Sequence, residues 1–244
     1  MKKNTVIFRN LTVKFGEKII LNKLNFSFNS SSSVCVIGEG SSGKTTILKS
    51  LIGLVPIDKG EIKINGCKID RFNCTEVFPH LNKFGVVFQK DALFDSLTVW
   101  QNVMFKKLNL GISKKELIYQ SNKLLEKVGL DSSVSHLYPS ELSGGMKKRV
   151  AISRAFSDKP NYLILDEPTA GLDPIKTNKI FKIIKELSNN SDVSIFAITS
   201  DVKSALKYFD QLLFLKSNKI EWLGKAKEAK KSKNLFLKEI LKRA

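Results

Sequence analysis

The chain has 244 residues, 42% of them hydrophobic and 26% charged, with a net charge of +18. That length and balance fit one large domain or two small ones with a self-sufficient core, and they exclude a collagen, a mucin-like stalk or a mainly disordered chain. No apolar run approaches the roughly 18 residues of a membrane span, no apolar stretch follows Lys2 and Lys3 as a secretory signal requires, and three cysteines with only two histidines point to reduced thiols in a cytoplasmic setting without a His-rich metal site.

Short alternating segments at 6–10, 11–15, 19–21 and 24–28 predict antiparallel strands joined by tight turns. A polar run over 29–33 leads into a continuous apolar strand at 34–38, then a Gly/Ser loop and an amphipathic helix over about 44–53. Further strands are predicted at 61–65 and 84–89. From 98 to about 128 the apolar period shifts towards 3.6, which predicts a helical insert, and another helix spans 144–156. Next come a buried strand at 162–165, a helix at 176–187, a strand at 193–199, a closing pair at 212–215 and 219–223, and a lysine-rich helix over 225–243. Strands alternating with helices predict an α/β fold with a mainly parallel sheet covered on both faces. No internal repeat and no linker-like composition break is visible.

Two segments carry chemistry by their own pattern. Gly38, Glu39, Gly40, Ser41, Ser42, Gly43, Lys44 and Thr45 fit G-x-x-x-x-G-K-[ST] between a buried strand and a helix. Glycines let the backbone wrap around phosphates, the amides of the helix start form an anion nest, Lys44 reaches the β- and γ-phosphates, and the Thr45 hydroxyl ligates Mg²⁺. The strand Tyr162-Leu163-Ile164-Leu165 ends in Asp166 and Glu167, which places two carboxylates where open α/β sheets bind ligands. Asp166 is the candidate metal holder and Glu167 the candidate base for an attacking water. A third segment, Leu142-Ser143-Gly144-Gly145-Met146, reads either as a plain N-capped helix start or as a second anion site.

In this order the three segments resemble the ATP-binding subunits of ABC transporters, over nearly the whole chain. The resemblance implies a P-loop NTPase fold with an N-terminal antiparallel β subdomain and a helical insert. ATP and Mg²⁺ are then the cofactors, and Thr46 joins the nucleotide contacts. It also implies that Ser143, Gly144 and Gly145 contact the γ-phosphate held by a second copy, that Gln89 senses Mg²⁺ and couples to a permease, and that Asp173, within Gly171-Leu172-Asp173-Pro174, touches the opposite subunit. Phe15 stands where the family stacks an aromatic on adenine, though an aromatic at a strand end also serves as core.

The sequence departs from this pattern at one position. Where the family has a histidine after the last central strand, Ile198-Thr199-Ser200-Asp201 puts Ser200, and neither His80 nor His136 lies where it could replace that histidine in sequence. A serine is shorter and carries no positive charge, which bears on hydrolysis rather than on nucleotide binding. Met146 replaces the common glutamine. The stretch from Phe88 to Val103 resembles the ATPases of MCE/Mla-type phospholipid transporters, which implies a transmembrane permease and, through it, a lipid-binding MCE-type subunit.

The domain expectation is an ATPase unit over 1–224, with a helical subdomain at about 90–157, and a basic C-terminal helix over 225–244. That helix carries Leu235, Phe236, Ile240 and Leu241 as an apolar face, fitting either an anionic membrane surface or its own domain. Lysines spread over the whole chain read as solvated faces rather than a nucleic-acid footprint, so the expected partners are a second copy and a permease. The expected location is the cytoplasmic face of the cell membrane.

Overall fold

The structure, a computed structural model, describes residues 5–29, 32–69 and 82–243; Cys74 and His80 lie outside the described residues. The N-terminal strands expected as four are two long ones, β1 (Thr5–Phe15) and β2 (Lys18–Asn29), paired antiparallel around the turn at Gly16. The breaks near residues 10 and 23 are bulges, because Asn10 (φ 47°) and Lys23 (φ 51°) take left-handed conformations that absorb the register shifts. Asn25 locks them: its Oδ1 accepts from the Asn10 amide at 2.9 Å, and its Nδ2 donates to Asn10 Oδ1 at 3.0 Å and to the Lys23 carbonyl at 2.9 Å. The expected strand at 61–65 is β4 (Lys59–Ile64). It pairs antiparallel with β1 and with β5 (Cys67–Lys68), completing a four-stranded sheet.

A second sheet holds β3 (Ser33–Gly38), β6 (Phe84–Val87), β7 (Tyr162–Asp166), β8 (Ser194–Ile198), β9 (Gln211–Lys216) and β10 (Lys219–Lys225), in the order β10-β9-β3-β8-β7-β6. All its pairs are parallel except the closing β9–β10 pair. Its strands obey a period of two on both faces. Val34, Val36, Ile164, Phe196 and Leu213 point to one side, where they meet Phe8, Leu11 and Ile62 of the first sheet and Ile47 and Leu48 of α1 (Lys44–Leu51). Phe196 stacks on Phe28 with centroids 5.3 Å apart, within a group that includes Phe8 and Phe26. Cutting such a buried ring to alanine costs about 3–5 kcal/mol.

Cys35, Ile37, Leu163, Leu165 and Phe214 point to the other side, which is covered by helices. These are α2 (Val99–Val103), α3 (Lys114–Lys127), α4 (Gly144–Phe156), α5 (Pro174–Ser191) and α6 (Val202–Tyr208). So one sheet face carries the antiparallel sheet with α1, and the other carries the helices. Within the insert, buried Asn102 wires loop 94–98 to α2: its Nδ2 donates to the carbonyls of Phe94, Leu97 and Thr98, and its Oδ1 accepts from the Phe94 amide.

The expected helix over 225–243 is broken into α7 (Ala226–Ala229) and α8 (Leu235–Arg243). Asn234 starts the second, accepting from the Leu237 amide at 2.9 Å. Ala226, Ala229 and Leu237 are buried, and Ile240 and Leu241 pack against the helical side of the core. Of the expected apolar face, Ile240 and Leu241 are thus spent on their own domain, while Leu235 stays 78% exposed. Among the described residues, no helix is long and apolar enough to cross a membrane.

Candidate active site

The phosphate-loop segment leaves β3 through two conformations that only glycine accepts. Gly38 has φ 155°, and a Cβ there would sit 2.1 Å from the Leu215 carbonyl oxygen. Gly43 has φ 100°, and a Cβ there would sit 2.7 Å from the Ile20 carbonyl oxygen. Gly40 faces open space instead. Helix α1 starts with no side-chain cap and no acidic residue in its first turn, so its first amides stay available to an anion. Lys44 folds back over the loop, donating from Nζ to the carbonyls of Gly38 at 2.9 Å and Glu39 at 2.8 Å. Burial pulls the Lys44 ammonium below the usual lysine range, against the opposing pull of Glu167 and Asp166.

Because β3, β8, β7 and β6 are neighbours in the sheet, their carboxyl ends bring residues 38–45, Ser200, Asp166, Glu167 and Gln89 to one edge. Asp166 is 6% exposed. Burial, and then the neighbouring Glu167, push its carboxyl above the ordinary aspartate range, while Lys49, Lys44 and the Thr45 side chain pull it down. Glu167 takes a left-handed φ of 45°. Its amide donates to the Ile198 carbonyl at 3.0 Å, and its Oε2 accepts from the Ser200 amide at 3.0 Å and the Ser200 hydroxyl at 3.2 Å. The serine that stands where a histidine was expected is thus engaged with the carboxylate next to Asp166.

Two polar atoms at this edge, Ser42 Oγ and Asp166 Oδ1, are buried with no partner within the protein. Such groups are costly unless something else satisfies them. The donor set of Thr45 and Asp166 suits Mg²⁺, a hard cation that takes one or two protein oxygens and completes its shell with water and phosphate oxygens. Among the described residues, no cluster of three His, Cys, Asp or Glu side chains offers an all-protein metal cage. The residues present therefore fit a magnesium–nucleotide complex, with Thr45 and Asp166 as the holders on the protein side.

The remaining candidates stand elsewhere. Phe15 ends β1 at 54% exposure, so its ring is not core. Ser143 caps α4, its hydroxyl accepting from the Met146 amide at 3.3 Å, and Gly144 is exposed with open space around it. Among the described residues, no hydrogen bond or ion pair joins 143–145 to the phosphate loop or to 166–167. Asp173 caps α5: it accepts from the Lys176 amide at 2.9 Å and pairs with Lys176 Nζ at 2.8 Å, which holds its carboxyl below the usual range. Ile175 beside it is 83% exposed. His136 lies exposed in the helical insert. Sequence reasoning missed Lys148 and Arg154, which bind the loop carrying Gln89; no motif marks them, since their partners lie 57 to 63 residues away.

Residues 21–170 match the ABC transporter family. The chain is 32% identical over 243 residues to the intermembrane phospholipid transport system ATP-binding protein MlaF of Haemophilus influenzae, covering 99% of this chain and 92% of that protein. It is also 32% identical over 224 residues to the sulfate/thiosulfate import ATP-binding protein CysA of Mesostigma viride, where the match covers 92% of this chain but spans only 63% of the relative's length. Among solved structures, a dimeric ATP-binding cassette in a post-hydrolysis state bound to ADP and Pi superposes with a TM-score of 0.80 at 28% identity, covering 91% of this chain and 98% of that one. The chain belongs to the ABC transporter family, as an ATPase cassette of the P-loop α/β fold whose cofactors are ATP and Mg²⁺.

Proposed function

We propose that two copies of this chain close around two ATP molecules and that hydrolysis reopens them, driving a separate transmembrane permease that moves phospholipid. One observation carries the dimer. The residues at 38–45, 166–167, 89 and 200 converge on one sheet edge, while Ser143 and Gly144 stand exposed, Gly145 is part-exposed, and among the described residues none of the three is hydrogen-bonded to that edge. Each chain then holds one half of two composite sites, which a two-fold arrangement completes.

In this reading the loop amides and Lys44 hold the phosphates, with Glu39, Gly40, Ser41, Ser42 and Thr46 lining the wrap, and Phe15 stacks on the base. Thr45 and Asp166 hold the metal, which supplies charge stabilisation at the transferring phosphoryl group. Glu167 orients and deprotonates the attacking water, and Ser200 fixes the Glu167 carboxylate through its amide and hydroxyl. Gln89 reports the state of the site to the permease, and Ser143 to Gly145 act on the nucleotide of the other copy, with Asp173 at the subunit boundary. The ATPase unit spans 1–224 with its helical subdomain at about 90–157, and the basic segment 225–244 is appended to it. The chain lies peripherally on the cytoplasmic face of the membrane, and the permease joins it to a lipid-binding MCE-type subunit.

Phospholipid as cargo is supported by the end-to-end match to a phospholipid-system ATPase and by the 88–103 stretch with Met146. A sulfate-import relative of equal identity makes the cargo the point to test. A second reading, a slow hydrolyser that mainly binds ATP, is favoured by Ser200 in place of histidine. The deciding experiment measures Mg²⁺-dependent ATPase activity of the chain alone and with its co-expressed permease in vesicles, with and without fluorescent phospholipid. A rate that rises in the complex and rises again with phospholipid is the expected result. A rate indifferent to both removes the transport reading.

A further inference from the structure

Helix α4 carries Ser143 to Gly145 at its head, and two of its cations reach onto the loop that carries Gln89. Lys148 is 4% exposed. Its Nζ donates to the Gln89 carbonyl at 3.0 Å and pairs with Asp91 Oδ1 at 3.0 Å. Arg154 donates from Nη1 to the Ala92 carbonyl at 2.7 Å and from Nη2 to the Asp91 carbonyl at 2.8 Å. A buried lysine is rare unless paired, and this one spends its charge on a loop rather than on a neighbouring turn of its own helix. The loop also needs holding: Asp91 (φ 62°) and Ala92 (φ 48°) are consecutive non-glycine residues in the left-handed region, a shape that persists only where the surroundings enforce it. At the far end of α4, a Cβ on Gly85 of β6 would sit 2.2 Å from the Ala155 carbonyl oxygen, so helix and strand are in close contact there.

We propose that Lys148 is a positioning residue that ties the Gln89 loop of one nucleotide site to the helix head acting on the other site, so that the two sites of a dimer close together. This rests on the reading above, in which Gln89 serves the chain's own nucleotide and Ser143 to Gly145 serve the partner's. The chemistry suits a rigid link. A desolvated charge pair with a second hydrogen bond has one good geometry, and breaking it from one side leaves an uncompensated buried charge. A helix of 13 residues carries a displacement of either end over about 20 Å.

The test removes the bridge without stranding a charge, in the double variant Asp91→Asn with Lys148→Met. Asparagine tolerates the left-handed conformation, and methionine keeps the buried stem. ATPase rates are measured against ATP concentration beside the thermal midpoint. Wild type is expected to show a Hill coefficient of about 2 that falls towards 1 in the double variant. The expected kcat loss is about tenfold, with KM for ATP within about twofold. The midpoint should move by no more than about 3 °C. Lys148→Arg, which keeps the cation and its donors, should retain cooperativity. Should the double variant fail to fold, Lys148→Met alone, which removes the more deeply buried charge and leaves the part-exposed Asp91 in place, carries the test with the same direction of change. Unchanged kcat and Hill coefficient, or a loss that only tracks the thermal midpoint, would overturn the link. Failure of the underlying reading looks different: wild type itself would titrate without cooperativity and form no ATP-driven dimer, and both would fall.

Discussion

Two glycine-rich helix starts in this chain look alike as sequence and differ as structure. At the first, before α1, Gly38 and Gly43 have positive φ, and the neighbouring backbone leaves no room for a Cβ. Their glycine requirement is met inside the chain. At the second, the head of α4, neither Gly144 nor Gly145 is left-handed; Gly144 has nothing within 4 Å of a would-be Cβ, and Gly145 meets only the Lys176 side chain at 3.9 Å. Nothing in this chain explains why alanine, the better helix former by about 1 kcal/mol, is absent there. Gly40 of the first loop shares that openness, and in the proposed dimer close approach by the nucleotide accounts for both. The contrast separates a loop whose Gly38 and Gly43 are required by their own chain from a helix head whose glycines are not, and it supports the proposal that the second is half of an interface.

The largest expected effect would hold the two halves together. Glu167→Gln keeps the shape of the carboxylate but removes the base, so turnover should fall by about 10²–10³-fold. ATP should then drive a stable dimer, visible by size exclusion with multi-angle scattering. Wild-type hydrolysis by this variant would sink the assignment of Glu167. Next comes the glycine pair itself. Gly43→Ala should cost about 3 kcal/mol, from strain at positive φ plus a backbone clash, lowering the thermal midpoint of a domain this size by about 6–12 °C. Gly144→Ala should leave the midpoint unchanged or slightly raised while turnover and ATP-driven dimerisation drop about tenfold. If both variants lost stability equally, the distinction between a built site and a half site would collapse.

Much of this was legible in the sequence. The strands from Ser33, Tyr162, Ser194 and Gln211 are continuous apolar runs, as strands buried on both faces must be, and the phosphate loop falls between the first of them and its helix. What was not legible depended on distant partners. Asn10 and Lys23 look like turn positions locally, and only cross-strand pairing, with Asn25 as the lock, makes them bulges. The strand at Lys59–Ile64 resembles the others, yet β1 captures it into the antiparallel sheet. The lysine-rich C-terminal segment reads as one helix until Asn234 restarts it. At the site, the motif residues were found but not their contacts: Ser200 on Glu167 and Lys148 on Asp91 join segments 33 and 57 residues apart.

A smaller effect separates the two hydrogen bonds that Ser200 makes to Glu167. Ser200→Ala keeps the amide bond and removes the hydroxyl one, a loss of about 1 kcal/mol, which amounts to about fivefold in turnover if that bond orients the base. Ser200→His should restore or exceed the wild-type rate if a cationic ring is the better partner at the γ-phosphate. A rate unmoved by Ser200→Ala would leave the amide alone as the orienting group and make the hydroxyl incidental.

The smallest effect concerns the ligand-free built site, and it follows from the sign of a shift. Burial and Glu167 raise the Asp166 carboxyl above its ordinary value, so the folded chain holds that proton more tightly than the unfolded chain does. The stabilisation this gives is complete below the ordinary aspartate pKa of about 3.9 and is lost as pH rises through the raised folded value. Lys44 runs the other way: its lowered value means that stability present above the ordinary lysine pKa is lost as pH falls through the folded one. Near pH 7 the ligand-free site therefore holds both groups at a cost to folding. Asp166→Asn should remove part of that cost, raising the thermal midpoint at pH 7 by about 2–4 °C while abolishing Mg²⁺-dependent turnover, and the gain should shrink as the pH approaches about 4. A fall in the midpoint at pH 7 would mean that Thr45, Lys44 and Lys49 outweigh burial, so that the carboxylate is already satisfied before any metal arrives. In that case the built site would be paired within the chain itself, and its orphaned oxygen could no longer be read as a place kept for the nucleotide's cation.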